Sequence, residues 1–393
     1  MSGDTSTAIP ALSNDELARY SRHLILPEVG AAGQERLKAA RILMIGAGGL
    51  GSPIALYLAA AGIGTLGIVD FDRVETSNLH RQVLFGDSDL GVPKVEAARR
   101  RLTDVNPHVD IVTHEARFDV DNALDLVADY DVVIDGSDNF RTRYLVSDAC
   151  VRCAKPLVWG AVQRFEGQVA VFDARQGACY RCLFPEPPPA GTVPSCAEGG
   201  VLGVLPGMIG TLQANEAIKL VLGIGEPLVS TLLVVDALRL RFRKVKIRKR
   251  ADCPGCGEAA LSRPLAAPDG ETCAPAEEPM TSETPTELPI EITVETYRAW
   301  REEGRPHLLL DVREPWEAQI GSLPDATLIP LGTLGMRLDE LDERAGPVVI
   351  YCHHGSRSMH ATQALRHHGI DAINLAGGID AWSLLIDPAV ARY

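Results

Sequence analysis

No apolar run in the chain approaches the ~20 residues that a membrane-spanning helix needs, so nothing in the sequence asks for a bilayer. The first twelve residues are small and polar. They lack the basic flank and apolar core of a secretion signal, which makes a cytosolic protein the expectation. Lysine is absent beyond Lys249. From Glu258 onward 22 acidic residues face 10 basic ones, whereas the first 257 residues are nearly balanced, within a total of −14 over 393 residues. That asymmetry divides the chain into unlike domains and argues against nucleic acid as a main partner. Aromatic residues are sparse as well, at 5%, so the one basic stripe, Arg239 to Arg250, lacks a stacking platform for bases. With Leu240, Phe242, Val245 and Ile247 interleaved, that stripe reads as a half-buried strand.

What remains is the composition of an ordinary globular chain, 46% apolar and 23% charged, long enough for two or three domains. The nine cysteines fall mostly in short-spaced pairs, which in a cytosolic chain favours metal binding or catalysis over disulfides. Cys179-Tyr-Arg-Cys182 and Cys253-Pro-Gly-Cys256 are two well-separated C-x-x-C pairs, the pattern of a tetrahedral four-cysteine zinc site. Four thiolates leave no open coordination position, so such a zinc is structural. The alternative, a redox C-x-x-C, needs only one pair.

The first half is organised around Arg41-Ile-Leu-Met-Ile-Gly-Ala-Gly-Gly-Leu-Gly51, which reads as a strand, a tight turn and then a helix. Gly46, Gly48 and Gly51 fit the G-x-G-x-x-G dinucleotide fingerprint, and Asp70 closes the next apolar run about 20 residues on. By itself this signal indicates a nucleotide without naming it, and an NAD-dependent enzyme is one reading. Ser13 and Glu16 have capping-box spacing at the head of a helical stretch over 13–38. Strands follow at Thr65–Asp70, Val109–His114, Val132–Asp135 and Leu157–Val162, with helices at Lys94–Leu102, Asp121–Val127 and Arg141–Cys153 between them. This alternation predicts an α/β fold with a doubly wound parallel sheet, extended in mixed sense by residues 165–173 and by a hairpin over 229–247. Ligands of such sheets sit at the carboxyl ends of the strands. Asn78, Arg81, Lys94 and Asp138 cluster just past those ends. Two cations and a carboxylate suited to Mg²⁺ favour a nucleoside triphosphate over NAD.

Residues 258–289 hold six prolines and almost no apolar periodicity, and read as a flexible linker. A second, small α/β unit follows over 290–393. In it, Tyr351-Cys-His-His-Gly-Ser-Arg-Ser358 places Cys352 at a strand end, in a loop that opens a helix, with Arg357 nearby. An N–H nest and an arginine lower a thiol's pKa and hold an anionic sulfur. Phosphotyrosine-type phosphatases put five residues between cysteine and arginine. Here only His353 to Ser356 intervene, and the smaller loop suits a persulfide better than a phosphate.

Gly46-Ala-Gly-Gly-Leu-Gly51, Ser77-Asn-Leu-His-Arg-Gln82, Gly91-Val-Pro-Lys94, Asp138-Asn139 and the paired C-x-x-C motifs resemble the molybdopterin-synthase and thiamine-biosynthesis adenylyltransferases, relatives of ubiquitin-activating enzymes. Asp311-Val-Arg-Glu314, the Cys352 loop and Ala376-Gly-Gly-Ile-Asp-Ala-Trp382 resemble a rhodanese domain. The fusion is similar to the adenylyltransferase/sulfurtransferases that thiolate small ubiquitin-like sulfur carriers.

The resemblance implies a Rossmann-like doubly wound mixed sheet with a structural zinc site over 13–257, preceded by a flexible N-terminus (1–12) and followed by a rhodanese domain over 290–393. It implies that ATP lies over Gly49 in a cradle that also includes Gly46, Gly48 and Gly51. Asp70 would hold the ribose, Arg81 and Lys94 the phosphates, and Asp138 a Mg²⁺. Ser77, Asn78, Leu79, His80 and Gln82 complete the nucleotide-contacting segment, and Asn139 follows the magnesium aspartate. Arg22 sits where the family's arginine crosses a homodimer to the partner's triphosphate. Cys352 would carry the persulfide, taken from a donor such as a cysteine desulfurase or thiosulfate. Cys196 would form a thioester or resolve a disulfide, unless it is dispensable. Partners are sulfur carriers ending in Gly-Gly, and molybdenum cofactor biosynthesis is one of the pathways served. An adenylyltransferase that relies on a separate sulfur donor, or a docking module without activity, are the other readings.

Overall fold

In a computed structural model, residues 10–188, 200–266, 288–341 and 346–392 are described. The chain divides into two compact units, 1–273 and 274–393.

In the first unit an eight-stranded sheet runs in the order β3-β2-β1-β4-β5-β6-β7-β8. Its strands are β1 (Arg41–Ile45), β2 (Thr65–Val69), β3 (Asp110–His114), β4 (Val132–Asp135), β5 (Leu157–Gln163), β6 (Glu166–Phe172), β7 (Thr231–Asp236) and β8 (Arg241–Lys246). The first five pair in parallel, and β5 through β8 pair antiparallel. The mixed sense expected for the 165–173 segment is therefore present. Strand β1 shows why the sheet is sandwiched. Ile42 and Met44 join one buried core and Leu43 and Ile45 the other, so its near-continuous apolar run serves two faces. The helices that pack on or lead into this sheet include α1 (Asn14–Arg19), α2 (Ser21–Leu24), α3 (Gly30–Ala39), α4 (Gly51–Ala61), α5 (Lys94–Val105), α6 (Ala123–Ala128), α7 (Phe140–Arg152) and α8 (Val204–Leu222). Helix α8 packs against α4, where an added Cβ at Gly210 would meet the Leu50 carbonyl at 2.5 Å.

Three local expectations change. The stretch 13–38 is not one helix but three, although its start is as anticipated: Ser13 Oγ accepts from Glu16 N–H, and Glu16 Oε2 accepts from Ser13 N–H. The first break falls at Tyr20, whose ring is buried and whose hydroxyl accepts from Asn106 Nδ2 at 2.8 Å. The second spans 25–29, where Pro27 removes a donor and biases Leu26 away from helix. The basic stripe is likewise not half-buried. Strand β8 is exposed along its whole length. It is the last strand of the sheet, where charge on an open edge opposes pairing with another chain. In the segment expected to be linker, Glu258–Leu261 forms a short helix.

The second unit is a five-stranded parallel sheet, β11-β10-β12-β13-β9, from β9 (Glu291–Ile292), β10 (Leu308–Asp311), β11 (Thr327–Leu328), β12 (Val348–Tyr351) and β13 (Ala372–Leu375). Helices α9 (Val294–Glu302), α10 (Pro315–Ile320), α11 (Ser356–His367) and α12 (Gly378–Leu385) accompany it. Alternation again splits the strands between two cores: Ile350 faces one, Val349 and Tyr351 the other. No helix among the described residues is long and apolar enough to cross a membrane.

A Cβ at Gly51 would lie 2.1 Å from the Gly46 carbonyl oxygen, with no flexible side chain to yield. Gly51→Ala should therefore destabilise the fold by roughly 1–3 kcal/mol, measured as a lower urea midpoint at unchanged slope.

Candidate active sites

The strand order reverses between β1 and β4, and at that point the Gly-rich turn and the loop after β4 lie side by side. Gly46 has φ +88°, and a Cβ there would come within 3.1 Å of the Gly136 carbonyl oxygen. Gly136 N–H in turn donates to the Ile45 carbonyl at 2.8 Å. Asp70, at the end of β2, pins the turn: Oδ2 accepts from Ala47 N–H at 2.7 Å and Oδ1 from Asp72 N–H at 2.8 Å. Burial pushes the Asp70 carboxyl up, with Lys94 opposing that shift.

Most of the expected nucleotide residues border this crevice, but their partners were not foreseen. Lys94 is buried and ion-paired with Asp72 at 2.8 Å. Arg81 Nη1 donates to the Ser77 carbonyl at 2.8 Å and lies 2.9 Å from His80 Nε2. Burial, with Arg81 adding to it, pushes His80 down. Asn78 Oδ1 accepts from Glu75 N–H, and its Nδ2 donates to Ser77 Oγ. Leu79 is partly buried. Gly49 packs against Pro206 and the Arg81 stem, and Gly48 against Gln82, whose Oε1 is buried without a hydrogen-bond partner among the described residues. Asp138 is exposed and takes no hydrogen bond or ion pair among the described residues. Asn139 caps α7, its Oδ1 accepting from Thr142 N–H at 2.8 Å. Arg22 lies exposed on α2, beside the exposed Ile25 and Leu26. Cys196 lies outside the described residues.

The four paired cysteines do come together. Cys179 Sγ is 3.9 Å from Cys182 Sγ and 3.5 Å from Cys253 Sγ, and Cys182 Sγ is 3.6 Å from Cys256 Sγ. Tetrahedral zinc with bonds of about 2.3 Å sets sulfurs about 3.8 Å apart, so the cluster fits a zinc site. Arg250 N–H and Gly255 N–H donate to Cys182 and Cys253. Burial, reinforced by the neighbouring sulfurs, pushes the Cys179 thiol up. A bound dication reverses that balance by taking the thiolates as ligands. The cluster ties the chain beyond β8 to the segment after β6.

In the second unit Cys352 follows β12, and its side chain is buried. Gly355 N–H donates to Cys352 Sγ at 3.1 Å, and Ser358 Oγ lies 3.4 Å from it. Gly355, at φ +95°, turns the chain into α11. Arg357 does not stand alone as the loop's positive charge. Both its terminal nitrogens reach Glu317, at 2.7 Å each. Beneath the loop Asp311 and Arg313 form a buried ion pair at 2.6 Å, and Tyr351 donates its hydroxyl proton to Asp311. Burial, with His354 adding to it, pushes His353 down to about 4, so its imidazole is neutral near pH 7.

Sequence reading passed over Glu317 and the Lys94–Asp72 pair. Glu314 and Glu317 carry a helix-start signal behind Pro315, but nothing local says that Glu317 meets Arg357, 40 residues away.

Cys253→Ser should reduce bound zinc from one equivalent per chain, after gel filtration in metal-free buffer, to well below one. It should also expose 248–257 to proteolysis, read by metal analysis and mass spectrometry of the fragments.

Comparison with known proteins matches this architecture. The ThiF family model covers residues 20–255 and the rhodanese-like domain model residues 293–385. The chain is 46% identical over 402 residues to the probable adenylyltransferase/sulfurtransferase MoeZ of Mycobacterium tuberculosis, covering 99% of this chain and 100% of the relative. It is 42% identical over 396 residues to the adenylyltransferase and sulfurtransferase MOCS3-2 of Zea mays, covering 98% and 82%. Among solved structures, E. coli MccB with MccA-N7isoASN aligns with a TM-score of 0.55 at 22% identity, over 62% of this chain and 76% of that one, a likeness of fold. With both domains matched and near-complete coverage, the chain belongs to the adenylyltransferase/sulfurtransferases that join a ThiF domain to a rhodanese-like domain.

Proposed function

We propose that this protein adenylates the C-terminal Gly-Gly carboxylate of a small ubiquitin-like sulfur carrier and then converts it to a thiocarboxylate, in the cytoplasm. The observation that carries the reading is the near-full-length similarity to MoeZ combined with a Gly-rich turn at the sheet's switch point and a strand-end cysteine in the second unit. In the first step a carboxylate oxygen attacks the α-phosphorus of ATP, and pyrophosphate leaves. Gly46, Gly48, Gly49 and Gly51 let the phosphates approach the N-terminus of α4, whose N–H groups face negative charge. Arg81 and Lys94 neutralise phosphate oxygens, and Lys94 exchanges its Asp72 partner for the ligand. Mg²⁺ held by Asp138 supplies charge neutralisation and alignment of the phosphates. Positioning and charge neutralisation suffice for this step, because the attacking carboxylate has no proton to lose; the acyl-adenylate then gives the second step AMP as its leaving group.

In the second step the terminal sulfur of a Cys352 persulfide, loaded by a desulfurase or from thiosulfate, attacks the acyl carbon and expels AMP. This leaves an acyl disulfide on Cys352. A second thiol, assigned to Cys196, attacks the Cys352 sulfur, forms a Cys196–Cys352 disulfide and releases the thiocarboxylate; a thiol reductant resets the pair. Arg22 completes the partner's ATP site in a homodimer.

Two experiments test this. Cys352→Ala should reduce thiocarboxylate formation to background while carrier-dependent ATP–pyrophosphate exchange persists. Loss of both, or NAD binding without exchange, overturns the reading. Mixing Arg22→Ala with Lys94→Ala chains, each inactive alone, should restore about one quarter of wild-type exchange if the arginine acts across a two-fold interface. No recovery removes the crossed arginine.

A further inference from the structure

His353 and His354 directly follow Cys352, and Asp380 lies in the first turn of α12. The sulfur chemistry above uses none of them. The atoms through which these three residues could hold a metal all lie within 4.8 Å of one another. Their backbones form one piece, because Ile379 N–H donates to the Cys352 carbonyl at 2.9 Å and Asp380 N–H to the His353 carbonyl at 3.1 Å. The two imidazoles have centroids 4.0 Å apart and planes inclined by 39°.

Asp380 uses its oxygens differently. Oδ1 accepts from Arg392 Nε at 2.8 Å, while Oδ2 faces His354 Nδ1 at 3.8 Å, too far for a hydrogen bond. An arginine on one oxygen with the other directed at imidazoles is the outer support that ligating carboxylates take at metal sites. Ligand atoms around a tetrahedral ion with bonds of about 2.0–2.1 Å stand about 3.4 Å apart. The remaining gap closes by a small rotation of His354, whose side chain is 47% exposed and gives a hydrated ion its route in.

We propose that His353, His354 and Asp380 form a site for a first-row divalent cation of the zinc type beside the Cys352 loop, separate from the four-cysteine cluster. Two imidazoles and one carboxylate select Zn²⁺, Co²⁺ or Ni²⁺ over Mg²⁺ or Ca²⁺. Three protein ligands leave a coordination position for water or a small anion. The site rests on side-chain geometry and not on the reading of Cys352 as a sulfur carrier.

The test uses the full chain with its four-cysteine site already loaded. After equilibrium dialysis against Zn²⁺, the wild type should hold one more equivalent than His354→Ala or Asp380→Asn. Both variants should keep the wild-type thermal transition in metal-free buffer; if Asp380→Asn loses it, the exposed His354 carries the comparison. Added Co²⁺ should give d–d absorption without thiolate-to-metal charge transfer. Equal zinc in wild type and His354→Ala, or a thiolate charge-transfer band from the added cobalt, overturns the site.

Discussion

Everything at the first site depends on one close approach, the Gly46 carbonyl against Gly51. A Cβ at position 51 would stand 2.1 Å from that oxygen, so β1 and α4 can be joined this tightly only by glycine. The tight joint puts the N-terminus of α4 at the carboxyl end of β1, where the sheet's winding reverses. The other contacts brace this arrangement. Asp70 accepts from Ala47 on one side and Asp72 on the other, and Gly136 bonds back to Ile45 from β4. A Cβ at Gly46 or at Gly136 would come within 3.1 Å of the other's carbonyl oxygen.

The second unit repeats the device with different chemistry. A buried strand ends at Tyr351, a glycine with positive φ turns the chain at Gly355, and a helix begins at once. The first turn starts a helix at the sheet's switch point; the second brings Gly355 N–H to a sulfur. In each unit one cation beside the site already has a carboxylate partner, Lys94 with Asp72 and Arg357 with Glu317. This pairing keeps partly buried charges from standing uncompensated, at the cost of an exchange of partners wherever an anion is to be bound directly. Lys94 is the sharper case, being almost wholly buried while Asp72 is half exposed and can turn to water.

The four-cysteine cluster shows a third use of local spacing joined by tertiary closure. Each C-x-x-C pair brings two sulfurs near each other, but Cys179 and Cys253 lie 74 positions apart, with α8 and the β7–β8 hairpin between them. Closing that loop fixes the end of the first domain's chain against the sheet, where Arg181 and Asp148 add an ion pair at 2.8 Å.

Local patterns in the sequence determined the periodic elements, because apolar runs, glycine turns and cap residues act over a few positions. Ser13 and Glu16 made the expected capping box, Val132–Asp135 fell where its apolar run placed it, and both C-x-x-C pairs met. The roles expected of Arg22 and Cys196 came only from resemblance to a family, since no local pattern names a subunit crossing or a disulfide partner. Partnership across long separations was decided only by the tertiary structure. Glu317 on Arg357, Asp72 on Lys94, Asn106 under Tyr20 and Asp380 beside His353 leave no periodic trace, because each pair meets only after strands have been ordered in a sheet. The exposure of β8 belongs to the same class. Alternation of charge and apolar residues says that a segment is a strand, but whether a second layer covers it depends on its place at the edge.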